Sequence, residues 1–141
     1  MHLSNVSTRP IVAGPQAAVN VVLRYAVALA CAVSAGVHAA LVPDHWAEGG
    51  PALGGAFAVY AIASAAFAMA VRRPEHDGWA PAAAAAVLAL TVLAYGLSRT
   101  AGLPLLISEP EALDPLGVLT SAAEVLGVLS GLLLTTRKDP A

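Results

Sequence analysis

Residues 21–42 read VVLRYAVALACAVSAGVHAALV and are followed by Pro43-Asp44. As a helix this run covers roughly 33 Å, which matches a bilayer hydrocarbon core of about 30 Å. Three further runs of the same kind lie beyond it. One spans about 52–71 (ALGGAFAVYAIASAAFAMAV) and is stopped by Arg72-Arg73-Pro74. Another spans about 80–97, opened by Trp79 and Pro81, and the last spans about 115–134, with Asp114 as N-cap and Pro115 as first helical residue. Proline suits the first helical turn because its missing N–H has no intrahelical partner there. The expected fold is therefore all-α, an integral membrane four-helix bundle running up-down-up-down. A polar segment, 1–18, precedes the transmembrane domain, 19–135, and a tail, 136–141, follows it.

Composition agrees. The 141 residues are 58% hydrophobic and only 11% charged, against about 25% charged in soluble domains. Mean hydropathy is +0.75. The net charge of −2 and the scattering of seven Lys and Arg leave no patch to neutralise a run of phosphates, so nucleic acid is not expected as a partner. The lone Cys31 has no intrachain disulfide partner and lies in an apolar run, where an unreactive thiol is expected. Residues 1–18 hold no apolar core, and Ala28 and Arg24 fit a lipoprotein signal poorly, so the first run reads as an uncleaved signal anchor.

Orientation follows from the basic residues. Arg9 and Arg24, Arg72 and Arg73, and Arg137 and Lys138 fall on one side if the spans alternate. Loop 43–51 carries Asp44 and Glu48 without Lys or Arg, and loop 98–114 sets Arg99 against Glu109, Glu111 and Asp114. The positive-inside rule then places both termini in the cytoplasm of a multi-pass protein of the plasma (inner) membrane. Within the second acidic loop, 103–107 (LPLLI) is too short to cross and is expected to dip into the outer interface. Ser108 to Glu111 has the form of a capping box, with Pro110 making a short irregular turn the alternative.

Polar residues inside spans show which faces look inward, because hydrocarbon does not solvate them. In the first span Arg24, Cys31 and His38 recur every seven residues, with Ser34 close to the same line. In the fourth, Gly117, Thr120, Ser121, Glu124, Gly127 and Gly131 share a face, and Gly127/Gly131 is a Gly-x-x-x-Gly pair that permits close helix approach. Phe57, Tyr60, Ser64 and Phe67, with Thr91, Tyr95 and Ser98, complete the lining. By rise per residue Glu124 lies roughly 15 Å deep, and Ser34, Tyr60 and Thr91 roughly 12 Å deep, as hydrogen-bond partners for its carboxyl. His38 lies roughly 6 Å deep, near Tyr95 and under Asp44, His45 and Glu48, with Arg99 at the outer end of the third span.

Each of these residues has a structural and a functional reading. Glu124 is either a neutral carboxylic acid fixing helix register or a proton carrier. His38 either bonds to Tyr95 or a backbone carbonyl, or binds a proton or metal. His38, His45 and Glu48 are donors that a divalent metal accepts, with Asp44 and the second acidic loop nearby, but His38 to His45 crosses the expected proline-broken helix end, which is not a usual ligand spacing. No cofactor is otherwise expected. His76, beside Glu75 and Asp77, reads as solvated.

The stretches His38-Ala-Ala-Leu-Val-Pro-Asp-His-Trp-Ala-Glu-Gly, Ser98-Arg-Thr-Ala-Gly-Leu-Pro and Glu109-Pro-Glu-Ala-Leu-Asp-Pro-Leu-Gly-Val together resemble small, uncharacterised four-span membrane proteins of high-GC actinobacteria. The resemblance covers most of residues 20–135. It implies a plasma-membrane bundle whose outer helix ends carry His, Arg and acidic residues, and no activity. No nucleotide loop, zincin motif, haem-attachment pair or placeable Ser/His/Asp set occurs, so enzymes are the least supported class. The first expectation is a non-enzymatic accessory, assembly or self-associating component, in contact with the lipid bilayer and with a homo-oligomer or larger membrane complex as partner. The alternative is an extracytoplasmic-facing cation or proton binding or transport protein using His38 and Glu124. A further alternative, an enzyme on a lipid-borne substrate, requires Tyr95, Arg99 and His38 to line one cleft.

Overall fold

The computed structural model of the chain describes residues 14–102 and 109–137. Among them are three α-helices, α1 (Pro15–Ala70), α2 (Ala80–Thr100) and α3 (Pro115–Thr136), one 3₁₀ turn (Pro74–His76) and no strand. All three α-helices are long and apolar enough to cross a membrane. Residues 1–13 of the expected 1–18 polar segment, the 103–107 dip, Ser108 of the capping box and the tail from Lys138 lie outside the described residues, while residues 15–18 of that segment already belong to α1.

The first two expected spans both fall within α1, and the boundary at Pro43-Asp44 is corrected. Pro43 lies inside the helix: its ring removes one intrahelical hydrogen bond, but its φ is already helical, so the chain winds on. The break comes instead at Gly50, with φ 69° and ψ −165°, a backbone conformation essentially reserved for glycine. There α1 doubles back. Ser34 Oγ and Tyr60 OH are 3.0 Å apart, whereas 26 residues of unbroken helix separate their positions by roughly 39 Å. Residues 15–49 and 51–70 thus lie side by side as two arms of α1.

The other ends follow local chemistry. The Asp114 side chain accepts from Gly117 N at 2.6 Å and Pro115 takes the first helical position, as expected of that pair. Pro81 sits in the first turn of α2. That helix ends at Thr100, beyond the expected 97, which keeps Arg99 in its last turn. Residues 109–114 are non-helical, and Glu111 N donates to Ser98 O at 2.9 Å. Pro110 supplies the reason, since it disfavours helical backbone in the residue before it.

Most large apolar side chains point outward, and the interior is rich in small or polar ones. Leu29, Ile62, Leu90, Leu119 and Leu126 are each about two-thirds exposed. The interior holds Cys31, Ser34, Ala84, Ser64, Thr120 and Glu124. Such an arrangement is unfavourable in water and favourable in lipid, where helices associate through small residues and polar contacts. α3 packs against both α1 and α2, and its glycines permit the approach. A Cβ on Gly127 lies 2.6 Å from Ala30 Cβ and from Leu88 Cδ1, and one on Gly131 lies 2.8 Å from the Pro81 carbonyl oxygen. The Gly127/Gly131 face is therefore occupied within the chain. Around it an apolar cluster of Val27, Ala30, Val71, Ala80, Ala84 and Leu88 fills the half of the molecule nearer the 71–80 turn.

Candidate functional site

Glu124 is 1% exposed. α3 carries it inward on the same face as Thr120 and Gly127, both buried, because those positions are three or four residues apart and stack along one side of a helix. Opposite stands α1, with Ser34 fully buried. Ser34 Oγ donates to Glu124 Oε1 at 2.5 Å. The serine proton being committed, the Tyr60 hydroxyl donates, 3.0 Å from Ser34 Oγ and 3.5 Å from Glu124 Oε1. Two arms of α1 and α3 thus meet at one carboxyl.

The chain of polar groups continues to His38. Its Nδ1 lies 2.9 Å from the Ser34 carbonyl and 3.4 Å from Ser34 Oγ. A carbonyl accepts only, so Nδ1 carries the hydrogen, and in the neutral ring Nε2 remains the acceptor. The expected alternative bond from His38 to Tyr95 is not the one formed: the Tyr95 hydroxyl donates to the Asp114 carbonyl at 3.4 Å. The His38 ring packs on Tyr60 and Phe57, with centroids 4.3 and 5.1 Å away.

His45 comes into the same group because α1 does not end at Pro43. On a continuous helix residues seven apart return to the same face, so the supposed break between His38 and His45 is corrected to two turns of one helix. His45 stacks on Phe57 at 3.8 Å and its Nδ1 donates to Leu41 O at 3.0 Å.

His38, His45, Phe57 and Glu124 line a cavity of about 380 Å³. Glu124, Thr120, Thr91 and His38 form part of its wall, and His45, Glu48, Arg99 and Glu111 lie on it towards the loops. Its size falls at the small end of ligand pockets. Away from the loops the apolar cluster around Leu88 and Val27 fills the interior. Thr91 lies on the wall, but its hydroxyl donates back to Val87 O at 3.2 Å. Of the three expected partners of Glu124, Ser34 and Tyr60 bond to it, while Thr91 satisfies itself on its own helix, as threonine does mid-helix.

Arg99 does more than mark a helix end. Its guanidinium reaches Asp114 Oδ2 at 2.9 Å, Glu111 Oε2 at 3.0 Å and Ala112 O at 2.6 Å, and sits 4.7 Å over the Tyr95 ring. This knot ties 109–114 to α2 across the cavity rim. Sequence spacing hides it, because its members lie on either side of an irregular loop; the charge complementarity of Arg99 with three nearby acids was the available signal. A second ion pair, Arg24 with Asp77, also joins distant positions. His76 packs against Trp79 at 5.3 Å.

With Arg99 already paired to two carboxylates, Glu48 and Glu124 give the cavity an acidic balance. Asp44 and Glu109 are exposed and off its wall. Among the described residues no three His, Cys, Asp or Glu side chains gather closely enough to hold a metal ion. The expected His38, His45 and Glu48 set shares the cavity without converging. Tyr95, Arg99 and His38 do share one cavity wall, but Arg99 is committed to the rim. Gly117 lies against the Tyr95 ring and the Asp114 carboxylate, as a small residue must there. No family model, curated protein or solved structure matches the chain.

Proposed function

We propose that the protein is a multi-pass membrane protein that binds a proton or small cation at Glu124, reached through the cavity from the side on which 109–114 lies. The observation that carries this reading is the chain His38, Ser34, Tyr60 and Glu124, with Ser34 and Glu124 buried and His38 and Tyr60 half-buried, joined by hydrogen bonds and opening to a cavity with acidic balance. Imidazole, hydroxyl, phenol and carboxyl can each give and take a proton, and intramembrane ionisable groups mark such pathways. The apolar cluster packed on the far side of Glu124 suits binding or alternating access and not an open pore.

The reading includes four spans, with the two arms of α1 as the first and second, both termini in the cytoplasm, and the plasma membrane as location; the distribution of Arg and Lys supports it. The accessory or self-associating reading draws less support, because Gly127 and Gly131 pack inside the chain. The protein reconstituted in liposomes with an internal pH-sensitive dye is expected to dissipate an imposed pH gradient. Glu124→Gln, which keeps shape and hydrogen-bonding atoms, is expected to abolish this, and His38→Ala to slow it. Leakage equal to that of empty vesicles sinks the idea.

A further inference from the structure

At the opposite end from the Glu124 cavity, the start of α1 and the turn after it border an open groove of about 640 Å³. Its wall has two kinds of surface. Val21 and Met69 are apolar, while Arg24, Arg72 and Arg73 are basic. The Arg24 guanidinium is ion-paired with Asp77, which leaves that loop carboxylate engaged and out of the way of the other two cations. Arg72 and Arg73 are exposed, and neither forms an ion pair among the described residues. The Arg72 guanidinium stands 6.0 Å from the centre of the Tyr25 ring, a contact that holds it beside the groove.

The level of the groove follows from its neighbours. Arg72 and Arg73 come directly after the last turn of α1, and half-exposed Trp79 immediately precedes α2. Tryptophan and arginine at helix ends belong to the headgroup layer, with the apolar wall extending from there into hydrocarbon. A soluble anion has no use for Val21 and Met69, and a purely apolar ligand has none for two unpaired guanidinium groups. Arginine binds phosphate oxygens in a planar, two-point fashion.

We propose that this groove is a binding site for an anionic phospholipid, with the headgroup phosphate on Arg72 and Arg73 and the acyl portion along Val21 and Met69. The site is separate from Glu124 and does not rest on the proton-binding reading. The test uses full-length protein in nanodiscs of equal phosphatidylglycerol and phosphatidylcholine, with retained lipids identified by native mass spectrometry. Wild type retains phosphatidylglycerol preferentially, and the preference falls about fivefold for each arginine removed in R72Q and R72Q/R73Q, since each basic residue near a membrane surface contributes about a factor of five. R72K/R73K keeps most of it. Helix content by circular dichroism checks that the variants are folded. Equal retention of both lipids by wild type overturns the proposal, as does an equal loss in R137Q, whose charge lies outside the groove. Retention of added glycerol 3-phosphate in place of the lipid also overturns it, by showing a soluble-phosphate site.

Discussion

Glu124 and Ser34 make the shortest polar contact in the interior, and it links α3 to α1 across 90 residues of sequence. Ser34→Ala removes that donor without adding bulk. Intramembrane hydrogen bonds of this kind contribute about 0.6 kcal/mol and at most about 1.7. Ser34→Ala is therefore expected to destabilise by about 1 kcal/mol, measured by reversible unfolding in mixed micelles, and to add nothing further in a Glu124→Ala background. An equal loss in both backgrounds would show that the serine acts elsewhere. Cys31, 1% exposed, is expected to resist membrane-impermeant maleimides in the folded protein and to react once it is unfolded. Glu124 and its partners were legible from the sequence because polarity inside an apolar run has no other cheap explanation. Thr91 was misplaced as a partner because residue depth says nothing about which way a hydroxyl turns.

At the scale of elements, the decisive residues are glycines. Gly50 holds a backbone conformation that other residues adopt at a cost of about 1–3 kcal/mol. Gly50→Ala is expected to destabilise by that amount and to loosen the pairing of the α1 arms, seen as a longer spin-label distance between positions 37 and 59. No change in that distance or in stability would remove Gly50 from its role as the reversal point. Gly131→Ala forces a methyl to within 3 Å of the Pro81 carbonyl and Ala85 Cβ, which backbone cannot easily yield. A loss of about 1–3 kcal/mol is expected. Gly36→Ala meets nothing within 4 Å and is expected to be neutral or slightly stabilising through helix propensity. The helix starts at Pro81 and Asp114-Pro115 were readable because caps are local chemistry. The end placed at Pro43 was not, because proline weakens a helix without always ending it, and the competing break lay seven residues on.

For the whole molecule, the inverted distribution of side chains is the governing fact: most leucines outside, serine, threonine and glutamate within. The proposed four-span topology predicts which ends share a compartment. Single cysteines at positions 47 and 112 in a Cys31→Ser background are expected to react with an impermeant reagent from outside the cell, and one at position 75 only after permeabilisation. The opposite pattern would invert the proposed orientation, and labelling of 47 and 112 from different sides would rule out four spans.

The sequence by itself determined that the chain is helical, that its helices suit a bilayer, and which residues face inward, because hydrophobic run length, caps and buried polarity are properties of neighbours along the chain. Tertiary structure alone decided that α1 continues past Pro43 and turns at Gly50, so that His45 joins His38 above Phe57. It also decided that Arg99 clamps Glu111 and Asp114 at the cavity rim, and that Arg24 finds Asp77. Those outcomes depend on where one glycine reverses the chain and on how closely α3 can approach, and packing across distant segments settles both.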